Sequence, residues 1–339
     1  MIAVIIVTWN SAGDLIECLE SLSRLQHESF CVIICDNDSR DGTREKLFQW
    51  IDHRLDAPMN GTAWSSIRTA TRRNLKAGSA EISLESRSVY WCPLGTNAGF
   101  AAANNVGMAK AFADPSVSAA WLLNSDTIVD PDALSSLEAF SNQQLRPGLT
   151  GSMLLYYDDP DTVQACGGKY SLLTHKGREV GNGLTAGSVD STIGSHDIDY
   201  VVGASMLVSR PFYETVGPMC EEYFLYFEEM DWSLRSAGRF DIAFTSQSVV
   251  YHKEGGSIGT KGRGRPGDAS IYYMNRAMLR FSQIHKPLSL VTALGRVVAR
   301  GTRYLAARDR AGAKAVVSAV VDWARGERAV RPMPSGGDQ

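Results

Sequence analysis

Three segments constrain the fold more than any other feature of the chain. "IAVIIVT" (2–8), "CVIIC" (31–35) and "AAWLLN" (119–124) are continuous apolar runs, not alternating ones. A strand with one wet face alternates, whereas an unbroken apolar run suits a strand buried on both faces. Helical patterns lie between these runs. Leu15, Ile16, Leu19 and Leu22 recur at helical spacing, "REKLFQWIDHRL" follows the second run, and "NAGFAAANNVGMAKAFA" reads as a loop leading into an Ala-rich helix. Strands alternating with helices predict an α/β fold with a parallel sheet covered on both sides. Each run ends in a polar cluster: Thr8-Trp9-Asn10, Asp36-Asn37-Asp38 and Asn124-Ser125-Asp126. Ligands of such sheets bind outside the carboxyl ends of the strands, so the three clusters define a candidate crevice.

The second half is less regular. "TVQACGGKYSLLTHKGREVGNG" reads as strands and turns, "DYVVGASMLVSRPFYETVG" as a strand and a short helix, and "IAFTSQSVVYH" as a strand. "FEEMDWSLRSAG" is a helix stopped at Gly238. "AEISLESRSVYWCPL" (80–94) has the look of a hairpin, and the long stretch from about 44 to 90 has room for one that serves acceptor binding or oligomer contact. From about 270 onward the pattern is helical, with one stripe of Leu290, Leu294, Val297/Val298 and Leu305 and another of Val316, Val320 and Trp323.

Composition excludes several classes. No apolar run reaches the roughly 18 to 20 residues of a membrane helix, and "MIAVIIVTWN" has neither a basic leader nor a cleavage site. The six cysteines (18, 31, 35, 92, 166 and 220) show no metal or CxxC spacing, which predicts reduced thiols in a cytoplasmic protein. There is no GxGxxG after the first strand and no GxxxxGK[ST], against a dinucleotide dehydrogenase or a P-loop NTPase. The net charge of −3 divides unevenly: residues 253–331 hold 16 Lys/Arg against 5 Asp/Glu, +11, leaving −14 for the rest. A basic C-terminal portion suits phosphate ligands or an anionic membrane surface, and equally arginines that merely solvate exposed helix faces or line a homodimer interface.

Four features carry chemistry. "NSDT" at a strand end places a carboxylate where a divalent cation shared with diphosphate oxygens would sit, although Asp also caps helices and "DPDALSSLEAF" follows. His252 closes "SVVYH"; if it approaches Asp126, the two make a plausible Mn²⁺ pair. "YFLYFEEMDWSLR" sets Glu228, Glu229 and Asp231 among aromatics, either as an acidic helix face or as the seat of a catalytic base. Arg235 lies one turn after Asp231, a spacing for an ion pair. Lys261, Arg263 and Arg265, in the glycine-rich "GTKGRGRPGD", would suit a loop closing over phosphate.

Taken in order, "VIIVTWNSAGDLIECLESL", "VIICDNDSRDGT", "NAGFAAANNVGM", "WLLNSDTIVDP", "VVGASMLVSR", "EEYFLYFEEMDWSLRSAG" and "VVYHKEGGS" resemble a family 2 inverting glycosyltransferase of the GT-A fold, in its bacterial rhamnosyltransferase-like branch. "YYMNRAMLRF" and "VVDWARGE" are similar to that branch's C-terminal region, so the resemblance spans roughly residues 1–327. It implies a nucleotide-binding mixed central sheet flanked by helices, with a helical C-terminal extension. The implied organisation is a catalytic domain over 1–268 (nucleotide-sugar half 1–130, acceptor half 150–268), helices over 269–330 and a flexible tail, 331–339. It also implies that Thr8, Asp36, Asn37, Asn97, Gly99, Asn104, Asn124, Ser125 and Gly203 bind the donor, to which Trp9 and Asn10 of the first strand-end cluster and Arg263 and Arg265 of the basic loop are added as candidates. Asp126 and His252 would hold Mg²⁺ or Mn²⁺. Glu229 would be the base, with Asp231 second. The implied donor is dTDP-L-rhamnose, and the acceptor a cell-surface polysaccharide or lipid-linked precursor at the inner face of the cell membrane. A nucleotidyltransferase would want a glycine- and arginine-rich loop after the first strand, which "TWNSAGDLIE" does not provide. A non-catalytic nucleotide-sugar-binding protein would have no use for Asp126, Glu229 and His252 together.

Overall fold

The computed structural model describes residues 1–55, 84, 86–253 and 266–326. Its first half runs β1 (Ile2–Thr8), α1 (Ala12–Leu22), β2 (Phe30–Asp36), α2 (Thr43–Leu55), β3 (Val89–Pro93), α3 (Phe100–Phe112), β4 (Ala119–Asn124), β5 (Thr127–Val129) and α4 (Ala133–Gln143). The middle follows as β6 (Pro147–Tyr156), β7 (Asp159–Ala165), β8 (Gly167–Ser171), β9 (Lys176–Val180), α5 (Val189–Thr192), β10 (Ser205–Ser209) and α6 (Arg210–Val216). Last come α7 (Glu228–Ser236), β11 (Asp241–His252), α8 (Asp268–His285), α9 (Leu290–Ala306) and α10 (Arg310–Ala324).

The central sheet has the order β3-β2-β1-β4-β10-β6-β11-β5, with β7 beside β6. The three apolar runs form β1, β2 and β4, which are parallel to one another and to β3; β11 is parallel to β6, and β10 is antiparallel to both its neighbours, so the whole is mixed. Strand side chains alternate between faces, and β1 shows both faces buried. Ala3 and Ile5 join the core under α3 and α6, with Met108, Phe112 and Phe212. Ile2, Val4 and Ile6 join the opposite core, with Leu15, Leu19, Trp50 and Leu134 from α1, α2 and α4. A third cluster joins Tyr223 and Phe227 to Ile271, Phe281, Val297 and Val316, so α8–α10 share one aromatic core with the segment preceding α7.

Two expectations need correction. Residues 89–93 are not the return arm of a hairpin: they form β3, parallel to β2, with Cys35 opposite Cys92. Val89, Tyr90, Trp91 and Cys92 are all buried, which an edge hairpin with one wet face would not achieve. The start of the first arm, 80–83, lies outside the described residues. The stripe expected on α9 is also displaced. Ala293 and Val297 are buried and Leu290 and Leu294 half-buried, whereas Val298 and Leu305 face outward. Successive helical positions differ by about 100°, so Val297 and Val298 cannot share a face. Among the described residues, no helix is long and apolar enough to cross a membrane.

Candidate functional site

The parallel register brings the polar strand ends together: Thr8 lies opposite Asp36, and Val7 opposite Asn124. Thr8 Oγ1 is 2.7 Å from Ser11 Oγ, which is 3.0 Å from Ser125 Oγ, so a buried chain of hydroxyls ties β1 to β4. Asn37 N donates to Thr8 O at 2.9 Å. Asn10, in the left-handed region at φ 50°, accepts from Arg40 N through Oδ1 and donates from its own N to Ser39 Oγ. Trp9 stands half-buried beside it. Burial pushes the Asp36 carboxyl up, against the two Ser39 hydrogen bonds that favour its charged form.

Asn37 also reaches the start of α3. Its Oδ1 accepts from Ala98 N at 3.2 Å and its Nδ2 donates to Gly99 O at 3.3 Å, while Asn97 Oδ1 accepts from Gly99 N at 3.1 Å. Gly99 has φ +86°, and a Cβ there would lie 2.5 Å from Phe224 O. No side chain fits that approach, and Phe100 N donates to the same carbonyl at 2.8 Å. Asn104 is buried within α3, where its amide donates to Phe100 O. The adjacent Asn105, which sequence reasoning missed, pins the segment before α7: it donates to Met219 O and Glu221 Oε1 and accepts from Met219 N.

Asp126 and His252 meet because β5 pairs antiparallel with β11, setting His252 opposite Thr127. Asp126 Oδ1 lies 3.3 Å from His252 Nε2. His252 Nδ1 donates to Gln164 Oε1 at 2.8 Å, which leaves Nε2 as the nitrogen turned to the carboxylate. Burial alone would raise the Asp126 carboxyl, but the hydrogen bond and charge of His252, with Lys253, hold it below its ordinary range. Lys253 is itself fixed by Asp14 and Glu17 on α1, at 2.9 and 2.7 Å. A buried carboxylate facing an imidazole nitrogen whose partner nitrogen is already oriented is a fitting donor pair for Mn²⁺ or Mg²⁺. Among the described residues no group of three or more His, Cys, Asp and Glu forms a cage. A cation held here would therefore draw its remaining ligands from outside those side chains.

The opposite wall is α7. Phe224, Tyr226 and Phe227, just before it, have φ of +68°, +70° and +74°. Bulky residues in that region cost of order 1 kcal/mol or more each and persist only where surroundings dictate them. They turn Glu228 and Glu229 into the first turn of the helix. Glu229 accepts the Gly203 N–H, and its Oε1 occupies the space a Cβ on residue 203 would need. Burial raises its carboxyl above the ordinary range, against that N–H and its own. Glu228 is fully buried with Oε2 unpartnered, and burial followed by the neighbouring Glu229 charge pushes it up strongly. The next residue, Ala204, accepts Asn124 N at 3.0 Å, so a two-residue bridge links the Glu229 wall to the "NSDT" wall.

Asp231 lies away from this crevice, about 200° round the helix from Glu229. Its Oδ1 accepts from His285 Nε2 at 2.7 Å and Tyr223 Oη at 3.2 Å, and its Oδ2 from Arg235 Nε at 2.7 Å. Burial opposes its ionisation, but the His285 and Arg235 bonds hold the carboxyl below its usual range. The Asp–Arg pairing expected from spacing is present, and His285 adds an anchor to α8. Lys261, Arg263 and Arg265 lie outside the described residues.

The mixed central sheet flanked by helices has the GT-A fold. Residues 3–61 match the model of glycosyl transferase family 2. No curated protein matches the chain. Among solved structures, the mannosyltransferase PcManGT from Pyrobaculum calidifontis, in complex with GDP-Man and Mn²⁺, is similar with a TM-score of 0.53 at 11% identity, over 96% of this chain and 87% of that one. S. aureus TarS 1–349 in complex with UDP-GlcNAc has a TM-score of 0.50 at 13% identity, covering 96% and 92%. At such identities the likeness is one of fold.

Proposed function

We propose that the chain is an inverting glycosyltransferase that moves a sugar from a nucleoside-diphosphate donor to an acceptor hydroxyl, with Glu229 as general base. The observation that carries this reading is the Gly203–Ala204 bridge, which joins the Glu229 carboxylate on one wall to Asn124 beside the Asp126–His252 pair on the other. Support comes from the family 2 match over the first two strands and from similar folds whose structures hold GDP-Man with Mn²⁺ or UDP-GlcNAc. The donor we favour is dTDP-L-rhamnose, on the branch resemblance of the motifs. The acceptor we favour is a saccharide or lipid-linked precursor of a cell-surface polymer.

Thr8, Asp36 and Asn37 are suited to hold base and ribose, and Asn97, Gly99 and the Asn124–Ser125 turn to line the sugar and phosphates. A divalent cation, held by Asp126 and His252, would offset the charge of the departing diphosphate. A carboxylate whose pKa is raised toward the working pH is a better acceptor for the proton of an attacking hydroxyl. One displacement with a single base inverts the anomeric carbon and needs no second acid, which is consistent with Asp231 being committed to His285, Tyr223 and Arg235. The test is Mn²⁺- or Mg²⁺-dependent release of nucleoside diphosphate from a panel of nucleotide sugars with an acceptor present. Release from none of them, or release that ignores the cation, sinks the reading.

A further inference from the structure

Helix α9 carries an apolar face that no other described residue covers. Val291, Val298 and Leu305 recur every seven residues, with Gly295 and Thr302 between, so they share one side of the helix for about 21 Å. Leu288, in the turn before the helix, continues the line, and these four side chains are 62% to 88% exposed. Leu173, also exposed, stands at the tip between β8 and β9. That tip is fastened to the start of α9 through buried His175, whose Nε2 lies 2.9 Å from Ser289 O and 3.1 Å from Thr292 Oγ1. The surroundings are basic: residues 286–326 contain eight Lys/Arg and two Asp/Glu. The two acids are held by neutral partners, Asp309 capping α10 by accepting Gly312 N and Asp322 accepting from Tyr272 Oη, and against eight cations they leave the segment at +6. Lys286, Arg303, Arg308, Arg310 and Lys314 are exposed.

We propose that the Leu288–Leu305 face of α9 docks on an anionic phospholipid surface. Apolar side chains on one side of a helix, flanked by Lys and Arg, enter the acyl boundary while the cations meet headgroup phosphates. A second copy of the chain is the poorer occupant: it would set one net-positive region against another. Gly295 and Thr302 would also interrupt the seam where a helix pair wants apolar knobs. The docking face is independent of the donor crevice, so the proposal stands or falls apart from the assignment of Glu229.

The experiment is co-sedimentation of the full chain with vesicles of phosphatidylcholine alone and of phosphatidylcholine with phosphatidylglycerol, at low and high salt. The expected result is binding to the anionic vesicles that weakens with salt, and a loss on the order of tenfold in Val298→Asp/Leu305→Asp. Should the aspartates impair folding, Val298→Ser/Leu305→Ser carries the test, with melting curves as the check. No binding to anionic vesicles, equal binding to neutral ones, or unchanged binding by a folded variant overturns the proposal. So does light scattering that shows a dimer broken by the same substitutions while vesicle binding persists.

Discussion

Glu229 and Gly203 form one unit at the residue scale, because the carboxylate rests where residue 203 would carry a side chain. Glu229→Gln keeps the shape and removes the base, so turnover should fall roughly 10²–10⁴-fold while donor affinity holds. Isothermal titration beside a turnover assay separates the two. Gly203→Ala should act through the same atom: its Cβ must displace Oε1, and a misplacement near 1 Å costs on the order of 10²-fold in rate. Unchanged kcat in a folded Gly203→Ala protein would contradict the assignment. The raised carboxyl of Glu229 also sets a pH dependence. The base works only when deprotonated, so kcat/KM should fall with decreasing pH along a limb that lies above the ordinary glutamate range near 4.3. A limb at or below that range would mean that another group titrates.

Helix α7 is placed by two devices, the left-handed turn before it and the Asp231 anchor within it. Removing Asp231 leaves His285 and Arg235 facing a buried gap, so Asp231→Ala should cost about 3 kcal/mol in denaturant unfolding. Asp231→Asn should lose far less turnover than Glu229→Gln. Because the Asp231 carboxyl is held below its ordinary value, its contribution is present above the unfolded carboxylate range near 3.9 and is lost as pH falls through the lower native value. Equal stability of wild type and Asp231→Ala near pH 7 would deny the anchor. This pairing was half legible in the sequence: the i,i+4 spacing to Arg235 could be read, whereas His285, 54 residues away, could not. The same division holds elsewhere. β1, β2 and β4 were legible because double burial imposes an apolar run on local sequence. Ser11, Asn105 and Gln164 were not, since each matters only through a partner brought by the sheet or by a distant loop. For Gln164 that partner is His252, and Gln164→Leu should weaken Mn²⁺ affinity by about 10–100-fold through loss of ring orientation. Titration of the metal with nucleoside diphosphate present would show it; an unchanged affinity would leave Gln164 a bystander.

The whole molecule joins the crevice at the sheet's strand ends, proposed above as the donor site, to a basic helical region through one aromatic cluster, in which Phe281 of α8 packs on Phe227 at a centroid distance of 5.2 Å. The α8 end of that connection also holds Asp231, so the helix bearing Glu229 is rigidly tied to the element that precedes the exposed face of α9. A transferase acting on lipid-linked acceptors would gain from that tie, since surface docking would then fix the height of the base above the headgroups. Donor identity is tested at the same scale, because a ligand that binds only the folded chain stabilises all of it. At a donor concentration a hundredfold above Kd the gain is about 2.7 kcal/mol, a rise on the order of 5 °C in melting temperature for a chain of this size. Thermal unfolding with Mn²⁺ and, in turn, dTDP-L-rhamnose, UDP-GlcNAc and GDP-mannose should give the largest rise with the dTDP sugar. The rise should shrink in Asp126→Asn and persist in Glu229→Gln. A larger rise with either of the other donors would reassign the sugar while leaving the transfer chemistry in place, and no rise with any would remove the crevice from consideration as a nucleotide-sugar site.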